Sequence, residues 1–271
     1  MNGGNPVVSI VHLLIQFIFR VTFGVALAMS VTPARSVSSG FFRVHLWVLM
    51  GLNTLASLAI ITQREPLSRI TNSVPVVIAL AISLAAVSYV GAILWLYEKS
   101  GAGRIVLIGI LFSGLVAAVL IMPRETSVVS AVDSAWNLAD IVSSGLLLGF
   151  TLTAMFLGHW YLNTPTMELA PLKRLVGMMA SVIVFRALVS GAGLALQVQH
   201  ASMLGSQFWI FIALRWLAGL IGTLLLSVLA WYSLKGPNTQ SATGILYAGV
   251  ILAFIGELTS LFLSLDSWYP L

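Results

Sequence analysis

Eight predominantly apolar runs follow one another along the chain, at about 7–31, 41–62, 74–97, 104–122, 139–162, 173–198, 208–233 and 242–264. In hydrocarbon every backbone N–H must find its acceptor within the protein, and a run of roughly 20 apolar residues does so as a membrane-spanning helix. The pattern predicts an all-α integral membrane protein with eight transmembrane helices. Turn formers and charges separate the runs, among them Thr32-Pro33, Gln63-Arg64-Glu65-Pro66, Gly101, Pro123-Arg124-Glu125, Thr164-Pro165 and Gly236-Pro237-Asn238. No connection is long enough for a soluble domain. Ala26 and Ala28 resemble a cleavage signature, yet no Lys or Arg precedes Arg20, so the first run reads as a retained helix rather than a removed signal.

Charge sets orientation and removes several function classes. Only 8% of the residues are charged, against about a quarter in an ordinary soluble domain. The net charge of +5 comes from thirteen scattered Lys and Arg; no basic cluster suited to phosphate backbones exists, which argues against nucleic acid as a partner. The chain has no cysteine, so disulfides, thiolate metal sites and cysteine-held iron–sulfur clusters are excluded. Arg35, Arg43, Lys99, Arg104, Lys173, Arg174 and Lys235 fall on one side of the expected membrane, while Arg64, Arg69 and Arg124 fall on the other. The positive-inside rule makes the first side cytoplasmic. Both termini are then expected on the non-cytoplasmic side of a cell (inner) membrane.

Internal similarity suggests duplication. Thr32-Pro33 recurs as Thr164-Pro165, IAL at 78–80 recurs at 212–214, and LWLY at 94–97 returns as LAWY at 229–232. These spacings approach half the chain, and each half holds four runs. The expectation is a tandem parallel repeat of two four-helix halves, 1–135 and 136–271, related by an axis along the membrane normal.

Ionisable residues within spans are costly and usually face the protein interior with a partner. Arg215 and Glu257 lie at matching depth on successive antiparallel helices, which predicts a structural ion pair between them. Arg20 and Arg186 lie near mid-membrane with no carboxylate at evident matching depth; Asp140 is placed nearer the outer end of its helix. His12, Gln16 and Arg20 recur every four residues and form one stripe of the first helix. That stripe suits either a ligand or proton path or an internal ladder of hydrogen bonds to Asn53, hydroxyls or backbone carbonyls.

The four histidines sort by side. His12 and His200 fall at the outer ends of their helices, and His45 and His159 at the cytoplasmic ends. Two pairs of imidazoles, one per leaflet, are what two stacked b-type haems would need as axial ligands. Neighbouring aromatics, as in HLW and HWY, equally fit histidines at the membrane interface. His200 is followed by Ala-Ser-Met and suits a loop. Gly145 and Gly149, Gly191 and Gly193, Gly219 and Gly222, and Gly249 and Gly256 fit close helix packing. Thr126, Ser127 and Ser130, with Asp133, suit the cap of the fifth helix.

No nucleotide, metalloprotease or nucleophile-elbow motif is present. Three functional readings follow. The first is a membrane electron-transfer subunit of a respiratory-type complex, with haem b or quinone at His12/His200 and His45/His159, and with Arg20 and Arg186 balancing charge. The second is a secondary transporter for a small anion with Arg20 and Arg186 at the midplane between the halves, against which stand the few mid-helix prolines and the expectation of uninterrupted spans. The third is a non-catalytic accessory or assembly subunit. All three have the lipid bilayer as partner, and the first and third add other subunits of a membrane complex.

Overall fold

The computed structural model describes residues 6–122, 131–164, 166–200, 205–236, 238–265, 267 and 269–271. Among the described residues the protein is all-helical, and eight of its helices are long and apolar enough to cross a membrane. The chain is a polytopic integral membrane protein. Arg124 and the expected cap residues Thr126, Ser127 and Ser130 lie outside the described residues.

Two compact units divide the chain, Met1–Ala131 and Val132–Leu271. The first contains α1 (Pro6–Val31), α2 (Ser39–Thr62), a one-turn α3 (Arg64–Ser68), α4 (Val74–Leu96) and α5 (Ser100–Leu120). In it α2 packs on α1 and α4, and α5 packs on α1 and α4, closing a four-helix ring. The turn from α4 to α5 is tight. Glu98 adopts φ 55° there, a left-handed conformation that costs an L-residue about 1–2 kcal/mol. Packing follows side-chain size: a Cβ on Gly103 would lie 2.6 Å from the Trp95 indole, which itself stacks on Phe42 with ring centroids 4.0 Å apart.

Polar residues of α1 and Thr71 serve the C-terminal end of α5. Helix C-termini leave their last carbonyls without intrahelical donors. The His12 ring lies with Nε2 2.8 Å from Ile121 O, Gln16 Nε2 donates to Ala118 O at 3.2 Å, and Thr71 Oγ1 donates to Leu120 O at 3.1 Å. Elsewhere in the unit Asn53 donates to Thr22 Oγ1 and to Leu49 O. The outer face is apolar: Ile105, Ile108, Phe112 and Val116 of α5 are all exposed at helical spacing, as expected of a surface turned to lipid tails.

The second unit contains α6 (Ala131–Asn163), α7 (Ala170–His200), a seventh span and α10 (Thr239–Leu263). That seventh span is not uniform. It runs as α8 (Ser206–Leu214), a π-helical stretch (Arg215–Gly222) and α9 (Thr223–Lys235). The expectation of uninterrupted spans is therefore corrected: no proline breaks this helix, but eight residues hydrogen-bond with π spacing. The π stretch and α9 pack on α10 and α7. Gly158 lets α6 approach Thr243 of α10, and Asn238 caps α10 by accepting from Ser241 N–H at 2.9 Å.

Helix α6 also begins about two turns earlier than the sequence reading from 139, at Ala131. His200 is the last residue of α7 rather than part of a loop.

Candidate functional site

Four charged side chains converge in the second unit: Asp140 of α6, Arg186 of α7, Arg215 at the start of the π stretch, and Glu257 of α10. Arg186, Arg215 and Glu257 are wholly buried, and the Asp140 side chain is 11% exposed. A guanidinium has five N–H donors, and all five of Arg186 are engaged. Nε donates to Glu257 Oε1 at 3.2 Å and Nη2 to Glu257 Oε2 at 3.1 Å, a bidentate grip. Nη1 donates to Asp140 Oδ1 at 2.6 Å and to Ser143 Oγ at 3.1 Å, and Nη2 also donates to Ser260 Oγ at 3.0 Å.

The absence of a matching carboxylate for Arg186, expected from the sequence, is thus corrected. A helix that starts near 139 places Asp140 at its outer end. With α6 beginning at Ala131, Asp140 stands more than two turns inside the helix and reaches Arg186. A guanidinium with every donor committed is a structural anchor and offers nothing to a further anion, whether substrate or haem propionate.

Arg215 is held differently. Its Nη1 lies 2.9 Å from Glu257 Oε1, the pair expected from the sequence, but without hydrogen-bond alignment. Nη2 donates to Ser190 Oγ at 3.3 Å, and Nε has no acceptor among the described residues. Unsatisfied buried donors cost about 1–3 kcal/mol each and call for an explanation. The surroundings are backbone. A Cβ added to Gly219 would stand 2.5 Å from Gly256 Cα, and one added to either glycine would be 3.2 Å from Arg215 Nη1. The two glycines therefore let the π stretch and α10 touch, and that contact brings Arg215 to the residue following Gly256.

The serines of the cluster were missed by the sequence reading, although a signal existed. Asp140 and Ser143 are three residues apart, as are Glu257 and Ser260, and Ser190 follows Arg186 by four. Those spacings place charge and hydroxyl on one helix face.

Within the second unit, His159 and His200 make their contacts apart from this cluster. Arg20 is 3% exposed on α1, one turn beyond Gln16, in the first unit. His12 and His45 belong to the first unit, His159 and His200 to the second. His12 is buried with Nε2 against Ile121 O. His45 is buried and His200 exposed, yet both rings direct Nδ1 to the carbonyl four residues earlier, at 2.5 Å from Phe41 O and 2.8 Å from Leu196 O. His159 is exposed, with Nδ1 3.1 Å from the Tyr247 hydroxyl. Among the described residues no three His, Asp or Glu side chains gather as metal ligands; a haem held by two imidazoles needs no such group.

No protein family, curated protein or solved structure matches the chain. The site's chemistry rests on its geometry.

Proposed function

We propose that the chain transports a small anion across the membrane, with Arg215 as the anion contact and Arg186 as the fixed anchor beside it. The observation that carries this reading is the contrast between the two arginines. Arg186 spends all five donors inside the protein, whereas Arg215, equally buried, has among the described residues no acceptor for its Nε N–H and a misaligned Nη1. An intramembrane ionisable residue is by default a functional candidate, and π-helical turns occur frequently at functional sites.

The cluster also supplies a means of release. Glu257 keeps its bidentate contact with Arg186 when Arg215 turns away, so the Arg215 charge is freed without stranding a carboxylate in the membrane. The anion role that the sequence assigned to Arg186 moves to Arg215 because Arg186 has no donor left. The test is flux of chloride, nitrate and phosphate in proteoliposomes. Uptake above protein-free vesicles that is abolished by Arg215→Gln supports the reading; absence of uptake, or uptake indifferent to that change, overturns it.

One observation favours electron transfer as a second reading. His200 directs Nδ1 to a main-chain carbonyl, the tautomer that leaves Nε2 as the ligating nitrogen in many metal-binding histidines. Haem b, if bound there, would supply one-electron chemistry, and quinone would supply a mobile partner. His12 fits that role less well, since its Nε2 faces Ile121 O. Oxidised and dithionite-reduced spectra of purified protein test this: a reduced band lost on His200→Leu supports it, and a featureless spectrum with no extractable quinone removes it.

A further inference from the structure

Residues 269–271 lie against helices of the second unit, beside the charged cluster. Leu271 is 1% exposed in an apolar cluster with Ile212 and Leu263, flanked by Leu194, Phe208 and Trp216. Ser260 Oγ donates to Leu271 O, and the Tyr269 ring lies 5.5 Å from the His200 ring. The tightest contact is with α7. A Cβ on Gly193 would lie 1.8 Å from Pro270 O, so only glycine admits the segment there.

We infer that residues 269–271 form a strap that closes the Ser260 side of the ion cluster and lifts to admit the anion. This rests on the transport reading and adds its gate. The link is one hydroxyl: Ser260 Oγ accepts from Arg186 Nη2 and donates to Leu271 O, so strap and cluster share a single hydrogen-bond chain. Residues 269–271 are not part of a helix, and their seat is built from side chains of α7, α8, the π stretch and α10. Their described contacts are the Ser260 hydrogen bond, the inserted Leu271, the Tyr269–His200 ring contact and the Pro270 approach to Gly193, and a small local opening releases them together. The small residue at position 193, which the sequence assigns to helix packing, is on this view the notch that receives the strap.

The absence of native cysteine makes the inference directly testable. Leu263 is 6% exposed beneath Leu271. In full-length protein carrying Leu263→Cys, a hydrophilic maleimide should react much more slowly than with the exposed control Gln240→Cys. Gly193→Ala, which has no room for Pro270 O, should raise the Leu263→Cys rate by about tenfold or more. Leu271→Asp, which places a carboxylate in the apolar seat, should do the same without touching α7.

A parent rate equal to the control, or no acceleration by either variant, overturns the strap. Chloride, nitrate and phosphate flux in the same proteoliposomes reads the gate. Faster labelling with altered flux supports it, and faster labelling with parental flux leaves a strap that gates nothing and overturns the inference. If no variant or parent carries flux, the transport reading fails, and the gate with it, while the labelling pattern still reports whether the strap lifts.

Discussion

Arg186 and Arg215 approach the same oxygen, Oε1 of Glu257, at 3.2 and 2.9 Å. Two like charges held within one buried cluster are tolerable only while the carboxylate between them stays ionised. Glu257→Gln should therefore destabilise the protein strongly, by about 3–5 kcal/mol for a broken buried pair. Removing one of the repelling charges in the same molecule should recover part of that loss. The double variant Glu257→Gln/Arg215→Gln is expected to unfold at a higher temperature in detergent than Glu257→Gln alone, and a cycle in which the two effects simply add would contradict the shared-carboxylate geometry.

Arg186 offers a sharper comparison, because every donor is used. Arg186→Lys keeps the charge, but an ammonium has three N–H donors where the guanidinium has five. It cannot serve Asp140, Ser143, Glu257 and Ser260 together. The expected result is a lysine variant well below the parent in thermal stability, by about 1–3 kcal/mol for the donors lost. A lysine variant as stable as the parent would mean that the bidentate grip carries no weight.

Much of the fold was legible because membrane helices are written in hydropathy alone. The eight spans and their order follow from apolar length, which the bilayer makes obligatory. The Arg215–Glu257 pair was legible for a related reason, since two helices joined by a short turn have comparable depth at each end. Arg186 with Asp140 was not, because helix starts are read from capping and composition, and α6 starts inside a polar stretch that contains Asp133 and Asn137. A shift of about two turns displaces the expected depth of a carboxylate by about 12 Å along the axis. The π stretch left no local mark at all: Arg215–Gly222 contains no proline, and the Gly219–Gly256 approach within it depends on the partner helix. The stripe of His12, Gln16 and Arg20 was visible as a stripe, but that two of its members serve the carbonyls ending α5 required knowing which helix end lay opposite.

His12 should accordingly behave as a cap. His12→Leu leaves Ile121 O without its side-chain partner and is expected to cost about 1 kcal/mol, seen as a modest fall in thermal stability with anion flux retained. His12→Gln, which can donate from a similar position, should recover most of it. A loss of flux in His12→Leu at unchanged stability would instead place this histidine on the transport path.

The Gly219–Gly256 contact provides the test that separates packing from mere helix propensity. Alanine is ordinarily the better helix former by about 1 kcal/mol, so Gly→Ala within α10 is stabilising wherever a Cβ has room. Gly244 is such a place, with nothing within 4 Å of the added atom. At Gly256 the added Cβ would stand 2.3 Å from Gly219 Cα, which is backbone and cannot rotate aside. The helices must separate there, and overpacking of this kind costs about 1–3 kcal/mol. Separation also draws Glu257 away from Arg215, since Glu257 is the next residue along α10. Gly256→Ala is thus expected to lower thermal stability and to change anion flux together, whereas Gly244→Ala should raise stability slightly and leave flux as it was. If both variants proved equally harmless, the close approach of the π stretch to α10 would be wrong, and with it the placement of Arg215 that the transport reading requires.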